Sequence, residues 1–228
     1  MTTMPRFNGF GPRALPFFKA LAFHQTRDWF QENRGIYDED VVAPLTALLE
    51  DLTERFAKDG IPLRGDAKSI FRINRDVRFA KDKSPYKTHA GAVMTRSGGK
   101  MDPGLLYLHI AAEGSFVAAG FHMPDPAMLA AVRNAIKARP DEFQTLAGKL
   151  NKAKLALGTE SQMTRLPKGF EAFKDSPLNE AIRLKSFIVE EKFNEADIHT
   201  AKLGTQAAAF AKRALPLLEF GWAALARG

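Results

Sequence analysis

Apolar residues recur at intervals of three and four along the first sixty positions and again beyond Pro124, and between those regions the interval drops to two. The longer interval marks one face of a helix and the shorter one face of a strand. The pattern predicts a short helix over residues 12–23 and a second in "RDWFQENRGIYDEDVV". Thr26 stands where its hydroxyl can accept a first-turn amide, and Asp28 adds a favourable first-turn charge. A third helix follows from Pro44, with Leu45, Leu48, Leu49, Leu52 and Phe56 on one stripe and Gly60 beyond its end.

In "IFRINRDVRF" Phe71, Ile73, Val77 and Phe79 alternate with Arg72, Asn74, Asp76 and Arg78, which predicts a half-buried strand interrupted at Arg75. "DKSPYK" reads as a turn, because Pro85 holds Ser84 extended and Asp82 can accept local amides. A second strand then runs from Tyr86 to about Thr95. After a loop in "RSGGKMDPG", "LLYLHIAAEGSFVAAGFH" predicts a hairpin turning at Glu113 and Gly114. Asp125 and Pro126 open a helix, and "DEFQTLAGKLNKAK" forms another. Residues 155–175 read as irregular, "SPLNEAIRLK" as a short helix and "SFIVEEKF" as a strand. A long final helix spans about residues 197–226, with Pro216 expected to kink it. The expected architecture is α+β: a single domain over residues 1–228, with a mostly antiparallel sheet of about five strands packed against N- and C-terminal helices. Helices fill 12–59, the sheet 69–122, and helices with one strand 125–226. Neither an internal repeat nor a break in composition divides the chain.

Charge changes this picture more than composition does. Nine of the 33 lysines and arginines, but only two of the 26 acidic residues, fall within residues 68–100; the remaining 24 of each sign cancel, so the net charge of +7 belongs to one segment. A localised excess of this kind attracts anions. The 228 residues contain no cysteine, which removes thiolate catalysis, disulfides and cysteine-ligated zinc. The N-terminal stretch shows no basic segment leading into an apolar run and a cleavage site, and no apolar run approaches the length of a spanning helix. A cytoplasmic protein with no membrane partner is the expectation.

The familiar nucleotide, zinc-protease, hydrolase and calcium motifs are absent, so neither a cofactor nor a metal is predicted. If the hairpin turns at Glu113–Gly114, His109 and His122 share a face but stand about four residues apart, roughly 13 Å, which excludes one shared ion. His89 reaches either only if the strand order allows it. In the basic segment, Arg72, Arg75 and Arg78 can fork onto phosphate or carboxylate, Lys83 and Lys87 add charge, and Tyr86, or Tyr107 from the following hairpin, offers a hydroxyl or a stacking face. His89 and Asp76 are the catalytic candidates, and Asp76 also a group to orient the arginines. Three readings stand: a site for a small anionic ligand, which favours an enzyme on a phosphorylated or carboxylated metabolite; a nucleic-acid-binding module; or an internal ion-pair network.

The runs Arg75-Asp76-Val77-Arg78-Phe79 and Asp82-Lys83-Ser84-Pro85-Tyr86-Lys87, with "RDWF", "GFHMPDPAMLAAVRNAI", "RLKSF" and "LPLLEFGW" around them, resemble the domain of unknown function 2461 family of conserved hypothetical bacterial proteins. The resemblance covers nearly the whole chain and implies one domain; it carries no activity. His122 departs from it, since an aromatic residue such as tyrosine is expected there.

Overall fold

A computed structural model describes residues 6–227. Residues 1–5, part of the stretch read for a signal peptide, and residue 228 lie outside the described residues. Two helix starts, at Thr26 and Asp125, use caps that the sequence supplies. After α1 (Ala14–Phe23), the Thr26 hydroxyl accepts the Trp29 amide at 3.3 Å and opens α2 (Arg27–Glu32). The single helix expected after Thr26 is divided: α2 gives way to one turn, α3 (Arg34–Ile36), and then to a π-helical segment, Tyr37–Val42, that runs into α4 (Ala43–Asp59). In that segment the buried Asp40 carboxylate accepts the Arg13 amide at 2.9 Å and its guanidinium at 2.6 Å, tying the π turn to the start of α1. The leucine stripe of α4 is fully buried, and Gly60 closes the helix in the left-handed region, at φ 70°.

The sheet has four strands, β1 (His89–Met94), β2 (Leu105–Ala111), β3 (Phe116–Phe121) and β4 (Phe187–Lys192), antiparallel and ordered β1-β2-β3-β4. The hairpin falls where the alternation put it: the Ser115 hydroxyl accepts the Ala111 amide and donates to the Ala111 carbonyl, both at 3.1 Å, bracing the turn. The expected fifth strand, over residues 71–79, is absent. Only single bridges form there, Ile70 with Ala92 and Asn74 with Tyr86, because the chain beyond Asn74 leaves the sheet as a loop and Phe79, expected on the buried face, is 95% exposed. Tyr86 joins by its bridge alone, so β1 starts three residues later than expected.

Past the sheet, Asp125 accepts the Met128 amide at 2.8 Å and opens α5 (Pro126–Ala138), followed by α6 (Pro140–Lys152). Residues 155–175 are largely irregular, as expected, and lead to α7 (Asn179–Arg183). The final helix is interrupted after α8 (Glu195–Ile198) and resumes as α9 (Lys202–Leu225), with Pro216 inside it.

The chain divides into two compact units: Met1–Asp102 with Tyr107–Val117 and Lys192–Ala209, and Pro103–Leu106 with Ala118–Glu191 and Phe210–Gly228. The first buries Phe7, Phe18, Leu21 and the α4 stripe; its aromatic layer sets Phe17 5.6 Å from Tyr37. The second is centred on Phe143, whose ring meets Phe187 at 6.4 Å and Phe220 at 5.2 Å, both edge-on. No helix among the described residues is long and apolar enough to cross a membrane.

Candidate functional site

The basic residues of the 72–87 segment separate into two groups. In the loop that leaves the sheet, charges satisfy one another locally. Asp76 grips Arg78 through Nε at 3.0 Å and Nη2 at 2.7 Å, and the Lys83 ammonium donates to the Val77 carbonyl at 3.0 Å. That bonding, Arg78 first, holds Asp76 below the usual carboxylate range, which leaves it a weak base at neutral pH.

Nearer the sheet the arrangement differs. Lys87 donates to the Arg72 carbonyl at 3.0 Å, and Lys100, from the β1–β2 connection, donates to the Ile70 carbonyl at 2.6 Å. Both ammoniums lie over one ring, Phe71, at 5.6 and 5.4 Å from its centroid, a distance at which a cation is attracted to an aromatic face. Among the described residues no carboxylate forms an ion pair with Arg72, Lys87 or Lys100. Lys87 is consequently depressed, by burial first and then by the charges of Arg72 and Lys100.

Lys87 also borders a cavity of about 300 Å³, lined with it by Gln25, Arg75, Asp82, Tyr86 and His89. Arg75 is half-buried and paired with Asp82 through its Nη1. Asp82 also accepts the Ser84 hydroxyl at 2.6 Å and the Ser84 amide at 2.9 Å; these bonds, the hydroxyl first, hold it well below the usual carboxylate range. The Tyr86 ring is buried and stacked on Phe30 at 4.5 Å, and its amide donates to Gln25 Oε1 at 3.0 Å, so the backbone entering β1 is fixed from the end of α1.

His89 opens β1 on the half-exposed face of the sheet. Because β2 is the neighbour of β1, His109 packs against it with ring centroids 4.3 Å apart. The far face of His109 stacks on Phe116 at 4.6 Å and 17°, and its Nδ1 lies 3.1 Å from the Tyr107 hydroxyl. Gly91 makes room for that phenol: a β-carbon there would stand 2.7 Å from the Tyr107 oxygen. His89 is lowered from 6.5 by burial and then by Lys87, and His109 is lowered to about 4 by burial and then by His89; burial raises Tyr107. The result is two neutral imidazoles and a protonated phenol beside unpaired cations, groups able to donate to an anion or exchange a proton with it.

Of the residues expected in the site, Arg75, Tyr86, Lys87 and His89 surround the cavity, and Arg72 adjoins it through its bond with Lys87. Arg78, Lys83 and Asp76 lie apart in the loop. His109 and Lys100 were not among the expected site residues, and the bond between Tyr107 and His109 was not foreseen. The alternation of "LLYLHIA" places Tyr107 and His109 on one face, but only the strand order brings His89 to them. Among the described residues no group of three or more histidines and carboxylates is placed to hold a metal ion.

Neither the curated proteins nor the solved structures include a match to this chain. A family model described as "Conserved hypothetical protein (DUF2461)" matches residues 13–220, a span that includes the whole basic segment, the histidine pair and the cavity beside them. On that match the chain belongs to the DUF2461 family of conserved hypothetical proteins.

Proposed function

We propose that the chain binds a small anion, bearing phosphate or carboxylate, where Lys87, Arg72 and Lys100 meet the cavity edged by His89 and Arg75. One observation carries this reading. Lys87 and Lys100 share the face of Phe71 and Arg72 acts on Lys87 through its charge, with no carboxylate ion-paired to any of the three, and burial first and then the charges of Arg72 and Lys100 depress Lys87. Like charges held together in a half-buried place are unfavourable unless an opposite charge offsets them. Elsewhere in the segment Asp76 and Asp82 form ion pairs with Arg78 and Arg75; Asp76 also feels the charge of Arg72 but forms no ion pair with it. The neighbouring imidazoles suit the same ligand, since each neutral ring carries an N–H. An enzyme acting on a phosphorylated or carboxylated metabolite is the form of this function the neighbouring titratable groups favour.

A thermal-shift panel at low salt tests the reading with inorganic phosphate, sugar phosphates, nucleotides, dicarboxylates and oligonucleotides. A ligand at a hundred times its Kd stabilises the folded state by about 2.7 kcal/mol, a rise of roughly 5–10 °C for a chain of this length. The expected result is a rise with one class of small anion that is absent in Lys87→Met. No rise with any small anion would overturn it.

The alternative is a nucleic-acid module, favoured by Phe79. That ring is almost fully exposed, lies 5.9 Å from the Arg78 guanidinium and has Lys81 and Lys83 beside it in sequence, a pairing of charge and stacking face suited to a single strand. A rise only with oligonucleotides, lost in Phe79→Ala and with added salt, would favour it.

A further inference from the structure

We propose that His89 and His109 act as one proton-accepting pair, so that the site takes up its anion together with a proton and prefers a compact dianion, such as a phosphate monoester, to a monocarboxylate. The proposal rests on the anion-site reading and adds to it the proton and the class of ligand.

The geometry makes the two rings a unit. They lie 4.3 Å apart and tilted by 30°, so charge on one opposes charge on the other and the pair accepts one proton in preference to two. His89 borders the cavity; His109 lies behind it, held between His89 and Phe116. Tyr107 lets the inner ring change state without losing its partner. While Nδ1 of His109 is bare, the phenol donates to it across 3.1 Å; once Nδ1 carries a proton, that N–H donates to the phenol oxygen and the phenol proton turns away.

The surrounding charges decide when the proton arrives. From the segment leading into β1 come Lys87, which acts directly on His89, and Arg72 beside it. The β1–β2 connection adds Lys100. Arg75 and Asp82 face one another across the cavity wall. Strand β2 brings Tyr107, and Phe116 on β3 and Gln25 after α1 carry no charge. Without an anion the balance is cationic and both imidazoles stay neutral. An anion beside Lys87 reverses that balance, and a double charge reverses it further than a single one. By linkage, a ligand that raises the affinity for a proton is itself bound more tightly when the proton is present. Affinity therefore rises as pH falls through the ligand-bound value of the pair and levels off below the free value. His89 contacts the anion, whereas His109 is a positioning residue that spreads the charge.

Sulfate is the probe, because it remains a dianion throughout the range in which histidines titrate, and acetate is the monoanion for comparison. Calorimetry at about pH 5.5 and pH 7.5, in buffers of different ionisation enthalpy, reads affinity and proton uptake together. The expected result is sulfate binding roughly tenfold or more tighter at the lower pH, one pKa unit of linkage corresponding to a factor of ten, with uptake of up to one proton and weaker binding of acetate. In His89→Gln the pH profile of sulfate binding should flatten and the affinity at pH 5.5 should fall to or below that of the wild type at pH 7.5, and in His109→Gln the midpoint should move while binding remains. Imidazole proton resonances of the wild type, titrated with and without sulfate, require no variant: both His89 and His109 should titrate at higher pH when sulfate is present. Sulfate binding with no pH dependence and no proton uptake would overturn the pair while leaving the anion site standing. Failure of sulfate to bind at any pH would overturn both.

Discussion

Lys87 is the side chain on which the proposed anion site chiefly depends. Its ammonium is bonded to the Arg72 carbonyl, lies over Phe71 and lowers His89 through its charge. Lys87→Met keeps most of the apolar stem and removes the charge. The His89 imidazole should then titrate at higher pH than in the wild type, measured from its ring-proton shifts; an unchanged titration would mean that burial alone sets His89. Gly91 offers a steric test. A β-carbon there would meet the Tyr107 oxygen at 2.7 Å and one of its ring carbons at 3.0 Å. Gly91→Ala should therefore cost about 1–3 kcal/mol in denaturant unfolding, as overpacked sites do. Adding Tyr107→Phe, which removes the oxygen, should recover part of that loss, whereas equal stability of the single and double variants would contradict the packing account.

At the scale of elements, two glycines with the same backbone angle separate strain from collision. Gly114 in the hairpin turn and Gly120 on β3 both have φ +138°, but the former faces open space and the latter would place a β-carbon 1.9 Å from the Phe187 carbonyl oxygen on β4. Gly114→Ala should cost about 1–3 kcal/mol for backbone strain alone. Gly120→Ala should cost about 4 kcal/mol or more, or prevent folding, because neither backbone can yield without breaking the β3–β4 pairing. Equal melting temperatures for the two variants would contradict the close approach. The same scale shows what the sequence made legible. Helix starts at Thr26 and Asp125, the stop at Gly60 and the hairpin turn at Glu113–Gly114 depend on neighbours within a few residues, and all were readable. The stretch from Phe71 to Phe79 alternates as a strand does, yet a strand needs a partner along its length, and partners exist only near Ile70 and Asn74. Its charges found neighbours in the loop instead, Arg78 with Asp76 and Arg75 with Asp82. Lys87 and His89 were legible as candidates for the proposed site because the charge excess is contiguous in sequence. The packing of His109 on His89 was not, because it depends on which strand lies beside which.

For the whole molecule, the histidine pair links fold stability to pH. An imidazole exposed in the unfolded chain titrates near 6.5, whereas His109 in the folded chain titrates near 4. Between those values the unfolded chain binds the proton and the folded chain does not, so stability is greatest above about pH 6.5 and falls as pH drops towards 4. His109→Gln should flatten that part of the melting profile, and a variant whose profile runs parallel to the wild type would contradict the assignment. Sulfate should stabilise more at pH 5.5 than at pH 7.5, since the anion makes the protonated pair acceptable to the folded state.

The central claim, that the cations about Phe71 hold an anion, is tested most directly by titrating sulfate calorimetrically into the wild type and Lys87→Met at low ionic strength. The account predicts saturable binding at one site in the wild type, weakened about tenfold or more in the variant, in line with the loss of one charged hydrogen-bond donor. Equal affinity in the two proteins, or no saturable binding in the wild type, would contradict it.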